Sequence, residues 1–394
     1  MGPMAQSGSM AREETGVAVA SPAGGKAHLA YVDGMRALAA LYVVLNHAWL
    51  QSWPVAVYGD HPSGWFLTLT GWLDHGLFAV VVFIVISGFC LMMPVVKRDG
   101  TLGTEGARGF FLRRARRILP PYYAALGLSI ALGAGLLAAR THTLYDESRP
   151  ITTWGVVSHI FLVHNLHFRT LYQISAPLWS IAVECQVYLL FPLLLLLRRQ
   201  MGNVAVLGGT YIVGLMVSNV IAGTPYLGLS PMYPFYFALG MFAAEVISEK
   251  CTKLYVWIGA SAAVLFVAFS LNSILQKMLW TQILLAIAGM CALIVCAQWP
   301  GNPLARLCAW RPIAWMGSFS YSLYLIHFPV QQLIWQDLVR PLGLSKAATF
   351  AVMATVGTAL IVFFSYGFYL VFERPFTTEV WNKARVLRPV EEPA

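Results

Sequence analysis

Long apolar stretches fill the chain from about residue 31 to residue 371, and short polar loops separate them. Ten stretches come close to the roughly 20 residues that an α-helix needs to cross the hydrocarbon core of a bilayer. They cover residues 34–53, 73–96, 118–139, 178–197, 203–222, 231–248, 254–272, 280–299, 314–335 and 347–371. The pattern predicts an all-α integral membrane protein with about ten transmembrane helices in one bundle.

Composition supports this interpretation. Of the 394 residues, 58% are hydrophobic and 11% are charged, whereas soluble domains carry about 25% charged residues. The net charge of +9 fits loops that face the inner side of a membrane, since such loops are enriched in lysine and arginine. We therefore expect a lipid bilayer, and no nucleic acid, as the surroundings of this chain.

The basic loops also predict an orientation. The loop at 97–117 holds seven basic and two acidic residues, so we expect it to be cytoplasmic. If the marginal segment 153–170 does not cross, the later basic clusters fall on the same side. We therefore predict that both termini are cytoplasmic. We also expect 140–176 to be an outer loop with a re-entrant or interfacial helix.

Three parts follow from this organisation. Residues 1–29 are polar, small and Gly-rich, which is typical of a disordered cytoplasmic tail. Residues 30–376 form the membrane domain, and 377–394 form a cytoplasmic C-terminal tail. The six cysteines and nine histidines show no convincing metal-site spacing, so we expect no metal.

Ionisable side chains inside predicted spans are costly and mark functional sites. Arg36 and His47 lie eleven residues apart in the first span, which places them on nearly the same helical face. Asp33 lies one turn before Arg36 and is positioned to pair with it. An imidazole at this depth suits general-base chemistry. The alternative is that His47 only hydrogen-bonds a neighbouring helix.

An arginine-rich segment, FFLRRARRILPPYY, opens the third span. Arginine binds phosphate through paired hydrogen bonds. Coenzyme A has phosphate groups and is found on the cytoplasmic side of the membrane. Arg114 and Arg117 share a helical face and are the stronger candidates. Arg113 and Arg116 are equally compatible with a topology anchor that contacts lipid headgroups.

Two later segments each carry polar side chains along one helical face. PLWSIAVECQVYLLFP presents Ser180, Glu184 and Tyr188 at steps of four residues, and GSFSYSLYLIHFP presents Tyr324 and His327. Glu184 needs a partner at membrane depth, which Arg36 or His47 is placed to provide. A purely structural glutamate and a packing histidine remain open alternatives.

Several segments, taken together in their order and spacing, resemble the acyltransferase 3 family of membrane acyltransferases. They are YVDGMRALAALYVVLNH (31–47), FIVISGFCL (83–91), FLRRARRILPPYY (111–123), LWSIAVECQVYLLFP (178–192), SYSLYLIHFP (320–329) and ERPF (373–376). The family includes enzymes that acetylate surface polysaccharides and some that acylate macrolide antibiotics. The resemblance covers nearly all of the membrane part and implies a multi-pass protein of the bacterial inner membrane.

The resemblance implies an activity and a set of residue roles. The donor is expected to be an acyl-CoA, commonly acetyl-CoA, with no permanently bound cofactor, and the acceptor a hydroxyl of a carbohydrate-like molecule. His47 is expected to be the principal catalytic residue, as base or nucleophile, and Arg36 its partner. The other candidates are Glu184 and Asp33 as orienting acids, Arg114, Arg117 and Arg113 at the donor site, and Ser87, Tyr188, Tyr324 and His327 around the cavity.

Two departures from the family pattern bear on the acceptor. Cys185 and Val81 stand where many members carry acids, so the acceptor is expected to differ from the best-known polysaccharides if those acids shape its pocket. One alternative is an enzyme with a cytoplasmic acceptor such as a macrolide. A second alternative is a transporter with a buried Arg/His/Glu relay, although no inverted repeat is visible.

Overall fold

The computed structural model describes residues 29–54, 59–247, 252–271 and 278–377. Within these residues the chain folds into helices and contains no β-strand, which confirms the all-α class for the described part. The tails predicted at 1–29 and 377–394 fall almost entirely outside the described residues, as does Cys251.

The helices follow the predicted apolar stretches closely. Their bounds are α1 Ala30–Ser52, α2 Gly64–Thr70, α3 Leu77–Val96, α4 Gly106–Ala134, α5 Thr153–Ile160, α6 Phe168–Leu171, α7 Trp179–Ile221, α8 Tyr233–Val246, α9 Thr252–Leu271, α10 Met278–Gln298, α11 Pro303–Cys308, α12 Arg311–Gly317, α13 Ser320–Ile334, α14 Lys346–Val352 and α15 Thr358–Phe368. Helix α7 is interrupted at Gly202, where φ is 82°. This break separates two of the predicted spans.

Four helical stretches are both long and apolar enough to cross a bilayer: Gly64–Val96, Ala176–Ile221, Leu279–Gln298 and Lys346–Phe376. They establish the chain as a membrane protein, because no soluble fold hides apolar surface of this length. Each of the other predicted spans coincides with a shorter or more polar helix. The count of ten spans and the orientation of both termini remain predictions.

The segment 153–171 is too short to cross the bundle as a helix. Helix α5 has eight residues, about 12 Å of helix at 1.5 Å per residue. Two tyrosines from the middle of α4 hold it, since the hydroxyl of Tyr122 donates to the carbonyl of His159 (2.9 Å) and Tyr123 to that of Ile160 (2.8 Å). We call residues 153–171 the re-entrant segment.

Glycines set the closest helix contacts between the second and sixth predicted spans, which correspond to α3 and α8. A Cβ at Gly88 of α3 would lie 2.0 Å from the carbonyl oxygen of Phe237, and one at Gly240 of α8 would lie 1.9 Å from that of Val85. Helices α3 and α8 therefore pack backbone to backbone. This contact places Ser87, the residue before Gly88, next to the polar face of α7.

The two ends of the bundle differ in chemistry. We call the end that holds the N-terminus of α1 and residues 97–117 the arginine face. We call the opposite end the loop face, where α1 ends and residues 140–149 cover the bundle. His47 lies near the loop face and Arg36 near the arginine face, separated by about 16 Å along α1 at 1.5 Å per residue.

Candidate active site

His47 contacts a second histidine. Its Nδ1 atom lies 2.9 Å from the carbonyl oxygen of Val43 and 3.3 Å from Nε2 of His327. The two imidazole rings are 5.0 Å apart between centroids. His327 is fully buried, and its own Nδ1 lies 2.7 Å from the carbonyl oxygen of Tyr324. The sequence placed His327 among the cavity residues, and the structure places it directly against His47.

These contacts assign the protons on both rings. A carbonyl oxygen only accepts hydrogen bonds, so Nδ1 of His327 carries a proton and Nε2 of the neutral ring accepts. The same reasoning puts a proton on Nδ1 of His47, which is shared between Val43 and His327. Nε2 of His47 then holds a free lone pair. This is the form that a general base or nucleophile requires.

Tyr324 is fixed from the other side by α7. Its hydroxyl lies 2.6 Å from Oγ of Ser180, and the Ser180 hydroxyl in turn donates to the carbonyl oxygen of Pro177 at 3.1 Å. The polar faces predicted for the two helices therefore meet at this point. We call His47, His327, Tyr324 and Ser180 the histidine cluster.

A cavity of about 410 Å³ opens onto His47 from the loop face. Its polar and aromatic lining comes from five parts of the chain: Asn46, Asp74, Glu147, Tyr172, Trp179 and Tyr324. No lysine or arginine lines it within the described part of the chain. We call this space the loop-face cavity. Its mixture of aromatic rings and carboxylates is suited to a polar organic molecule.

A second polar group lies toward the arginine face. Cys90 of α3 lies within electrostatic range of Arg36, Arg114 and Arg117. Arg36 also interacts with Glu184 and Asp33. We call Arg36, Arg114, Arg117 and Cys90 the arginine cluster. It unites the donor-site arginines predicted from the sequence with the arginine of the first helix.

Neighbouring arginines on α4 have different surroundings. Arg113 is exposed and forms a 2.6 Å ion pair with Glu105. The Nε atom of Arg114 is buried and makes no hydrogen bond to any described residue. Helical spacing favours Arg114 over Arg113 as a ligand, and their positions agree with that preference. A buried N–H donor without a hydrogen-bond partner is energetically costly, and a bound anion would remove that cost.

Glu184 takes hydroxyl partners. Oγ of Ser87 donates to its carboxylate at 2.7 Å, and the Tyr188 hydroxyl donates to the same oxygen. The Tyr188 hydroxyl also lies 3.2 Å from Oγ of Ser87. The expected direct pairing with Arg36 or His47 is absent among the described residues. Hydroxyl donors satisfy the carboxylate, so Glu184 influences Arg36 through its electric field.

Several residues of the site were not predicted. A small pocket beside His47 is lined by three glutamines, Gln51, Gln331 and Gln332, which were not candidates. A signal for two of them existed, because Gln51 follows His47 by four residues and Gln331 follows His327 by four. Asp74 and Glu147 had no comparable signal, since tertiary folding alone brings their loops to the cavity.

The two departures from the family pattern lie away from the cavity. Val81 is fully buried in the apolar core, and the cavity lining includes its neighbour Val80. Cys185 is partly buried against the same apolar core and does not line the cavity. Neither residue contacts the space in front of His47.

Known proteins are similar to this chain over most of its length. The family model of the acyltransferase domain of the acyltransferase 3 family matches residues 29–370. The chain is 24% identical over 88% of its length to "Putative peptidoglycan O-acetyltransferase YrhL" of Bacillus subtilis (strain 168), covering 55% of that protein. It is also 24% identical over 76% of its length to the peptidoglycan O-acetyltransferase OatA of Listeria monocytogenes, covering 49% of it.

The chain thus spans about half the length of these curated relatives. No solved structure matches it. The family match covers both the histidine cluster and the arginine cluster, and every motif quoted above except ERPF. The chain belongs to the acyltransferase 3 family.

Proposed function

We propose that this protein transfers an acyl group, expected to be acetyl, from acyl-CoA to a hydroxyl of a carbohydrate-like acceptor. The observation that carries the proposal is the environment of His47. Its Nδ1 proton is fixed by Val43 and His327, and its side chain faces a cavity large enough for a small organic molecule.

The donor binds from the arginine face in this proposal. Arg114, whose Nε atom is buried and makes no hydrogen bond to a described residue, is suited together with Arg117 to the phosphates of coenzyme A. The pantetheine arm then extends along α1 toward His47. An extended pantetheine arm can cover the distance of about 16 Å that separates Arg36 from His47 along α1. Glu184 and Asp33 are within electrostatic range of Arg36, and in this proposal their negative charges orient its guanidinium group.

The acceptor enters through the loop-face cavity. Trp179, Tyr172 and Tyr324 provide aromatic surface for a sugar ring, and Asp74 and Glu147 accept hydrogen bonds from hydroxyl groups. OatA of Listeria monocytogenes is named as a peptidoglycan O-acetyltransferase, which supports a carbohydrate acceptor for this chain as well.

The chemical step balances as a general-base transfer. Nε2 of His47 removes the proton from the acceptor hydroxyl as the oxygen attacks the thioester carbonyl. Backbone amides near His47 stabilise the oxyanion that forms, because Arg36, which the sequence offered for this role, lies about 16 Å from His47 along α1. The carbon–sulfur bond then breaks, and the coenzyme A thiolate takes the proton back from His47. During the step the charged imidazole of His47 keeps its Nδ1 proton, which stays hydrogen-bonded to the carbonyl oxygen of Val43 and to Nε2 of His327.

Replacing His47 tests this proposal. With purified protein in detergent, His47→Ala should lower acetyl transfer to a glycoside by about 10²–10⁴-fold, the range typical of general bases. Release of thiol from acetyl-CoA and the mass of the acetylated product are measured together. The control is His61→Ala, which removes an exposed histidine and should leave turnover unchanged.

Two outcomes would contradict the mechanism. Full turnover by His47→Ala would remove His47 from the chemistry. A stoichiometric burst of thiol release in the absence of acceptor, with acetyl bound to the imidazole, would show that His47 is a nucleophile and not a base.

A further inference from the structure

The small pocket beside His47 contains polar atoms that the mechanism has not used. Gln331 is 2% exposed, and neither its amide nitrogen nor its amide oxygen makes a hydrogen bond to a described residue. The same is true of Oε1 of Gln51 and of the Tyr145 hydroxyl. All three side chains line a pocket of about 10 Å³ together with His47. That volume fits one oxygen-bearing group.

A hydrogen-bond network holds one wall of this pocket rigid. Nε2 of Gln51 donates to Oε1 of Gln332 (2.8 Å), and Oγ1 of Thr143 donates to the same oxygen (3.1 Å). Nε2 of Gln332 donates to Oγ1 of Thr141 (2.9 Å). These bonds leave Oε1 of Gln51 as a fixed acceptor. They also tie residues 141–145 of the loop face to α13.

The pocket therefore offers donors and acceptors but no charge. Gln331 both donates and accepts, Gln51 accepts, and Tyr145 does either. A hydroxyl group is the partner that both donates and accepts at one atom. A buried amide left without a partner is costly, and a substrate hydroxyl removes that cost when it binds.

We infer that Gln331, Gln51 and Tyr145 form an acceptor subsite that recognises the hydroxyl groups of an uncharged sugar. This inference rests on the proposed function and names the substrate class of the same site. In the bound state one acceptor hydroxyl faces Nε2 of His47, and Gln331 holds that hydroxyl or its neighbour on the ring.

The charge of the adjoining cavity supports an uncharged sugar. Asp74 and Glu147 line the loop-face cavity, and no cationic side chain lines it within the described part of the chain. An acceptor with a carboxylate on the reacting ring would meet two like charges there. Like charges at close range disfavour such an acceptor.

A glycoside series tests the subsite. The probes are methyl β-D-glucoside, which is neutral, and methyl β-D-glucuronide, which is anionic and of similar size. The variant Gln331→Leu should raise the KM for the glucoside about tenfold, as expected when a buried hydrogen bond to a substrate hydroxyl is lost. The KM for acetyl-CoA should change much less than the KM for the glucoside, because Gln331 binds the acceptor in this inference. The control is Gln200→Leu, which changes an exposed glutamine.

A second arm tests the charge. Wild-type protein should show a higher kcat/KM for the glucoside than for the glucuronide. Glu147→Gln should reduce the ratio of the two kcat/KM values, because it removes one of the two negative charges of the cavity. An unchanged KM in Gln331→Leu, or equal use of both glycosides by the wild type, would overturn the subsite. The subsite is also overturned if the protein cleaves acetyl-CoA in a His47-dependent way yet acetylates no glycoside. Loss of His47 dependence would instead defeat the proposed function.

Discussion

Two pairs of histidines in this protein make different contacts. His47 and His327 lie 5.0 Å apart between ring centroids and are linked through Nδ1 and Nε2. His159 and His164 of the re-entrant segment stack face to face, with centroids 3.6 Å apart and an interplanar angle of 9°. Both members of the stacked pair are fully buried, whereas His47 faces the loop-face cavity.

The difference supports the proposal that His47 and His327, and not the stacked pair, take part in the chemistry. In the first pair every Nδ1 proton has an acceptor, which leaves one defined lone pair beside a cavity. In the second pair Nε2 of His159 and both nitrogens of His164 make no well-aligned hydrogen bond to a described residue. Burial and stacking suit a packing role, in which a neutral imidazole fills space between helices. Variants of each pair separate the two roles.

The largest effect is expected from His327, as a positioning residue that acts through His47. The variant His327→Ala removes the acceptor of the His47 Nδ1 proton and leaves Val43 alone to hold the ring. We expect kcat to fall about 10²–10³-fold, as for residues that fix the tautomer of a catalytic histidine. The KM values for donor and acceptor should change little. Steady-state kinetics with acetyl-CoA and a glycoside measure both.

A conservative variant distinguishes positioning from simple packing. In His327→Gln the side-chain oxygen remains able to accept the Nδ1 proton, so part of the activity should return. If His327→Ala and His327→Gln lose the same activity while both fold, the tautomer argument is wrong. Full kcat in His327→Ala would also show that His327 does not fix the tautomer of His47.

Much of this site was visible in the sequence. The spacing of Arg36 and His47 predicted one helical face, and both lie on α1 as expected. The polar faces around Glu184 and Tyr324 were predicted correctly as faces. Their meeting through Ser180 depends on how α7 packs against α13, which no local pattern encodes. The contact between His47 and His327 joins residues 280 positions apart and was equally hidden.

The arginines of α4 allow a second comparison within a single helical turn. Arg114→Ala should raise the KM for acetyl-CoA about 10–100-fold, because a buried guanidinium that binds phosphate forms strong charged hydrogen bonds. The matched control is Arg113→Ala, which breaks an exposed ion pair with Glu105 and should change KM little.

A truncated donor sharpens this comparison. Acetyl-pantetheine lacks the nucleotide phosphates, so its KM should be insensitive to Arg114→Ala. Equal penalties for acetyl-CoA and acetyl-pantetheine would show that Arg114 supports the fold and does not bind the phosphates. If Arg113→Ala and Arg114→Ala change the KM for acetyl-CoA equally, the different surroundings of the two arginines have no bearing on donor binding.

Helical spacing alone separates Arg114 from Arg113 in the sequence, since burial follows the face that a residue occupies. No comparable signal marks Cys90 between the arginines, because a cysteine in an apolar run is usually a packing residue. The glutamine pocket was missed for a related reason. A neutral amide in a helix carries little information until its hydrogen-bond partners are known.

The smallest effect is expected from the stacked histidines, on stability. Burial lowers the pKa of His159 to about 4 and the pKa of His164 well below its usual range. A histidine in the unfolded chain titrates near pH 6.5, so between these pH values the unfolded state binds more protons and stability falls as pH falls. For His159 the loss between pH 7 and pH 6 is about 0.7 kcal/mol. Thermal unfolding in detergent across this range measures it.

The variant His159→Phe keeps the stacked ring and removes its titration, so this pH dependence should become shallower. Acetyl transfer at pH 7.5 should remain near the wild-type rate, since the re-entrant segment contributes no nitrogen to His47. A folded His159→Phe protein without activity would place the stacked pair in the mechanism, and the contrast between the two histidine pairs would fail. A wild-type unfolding midpoint that is unchanged from pH 7 to pH 6 would show that His159 is not buried as a neutral ring.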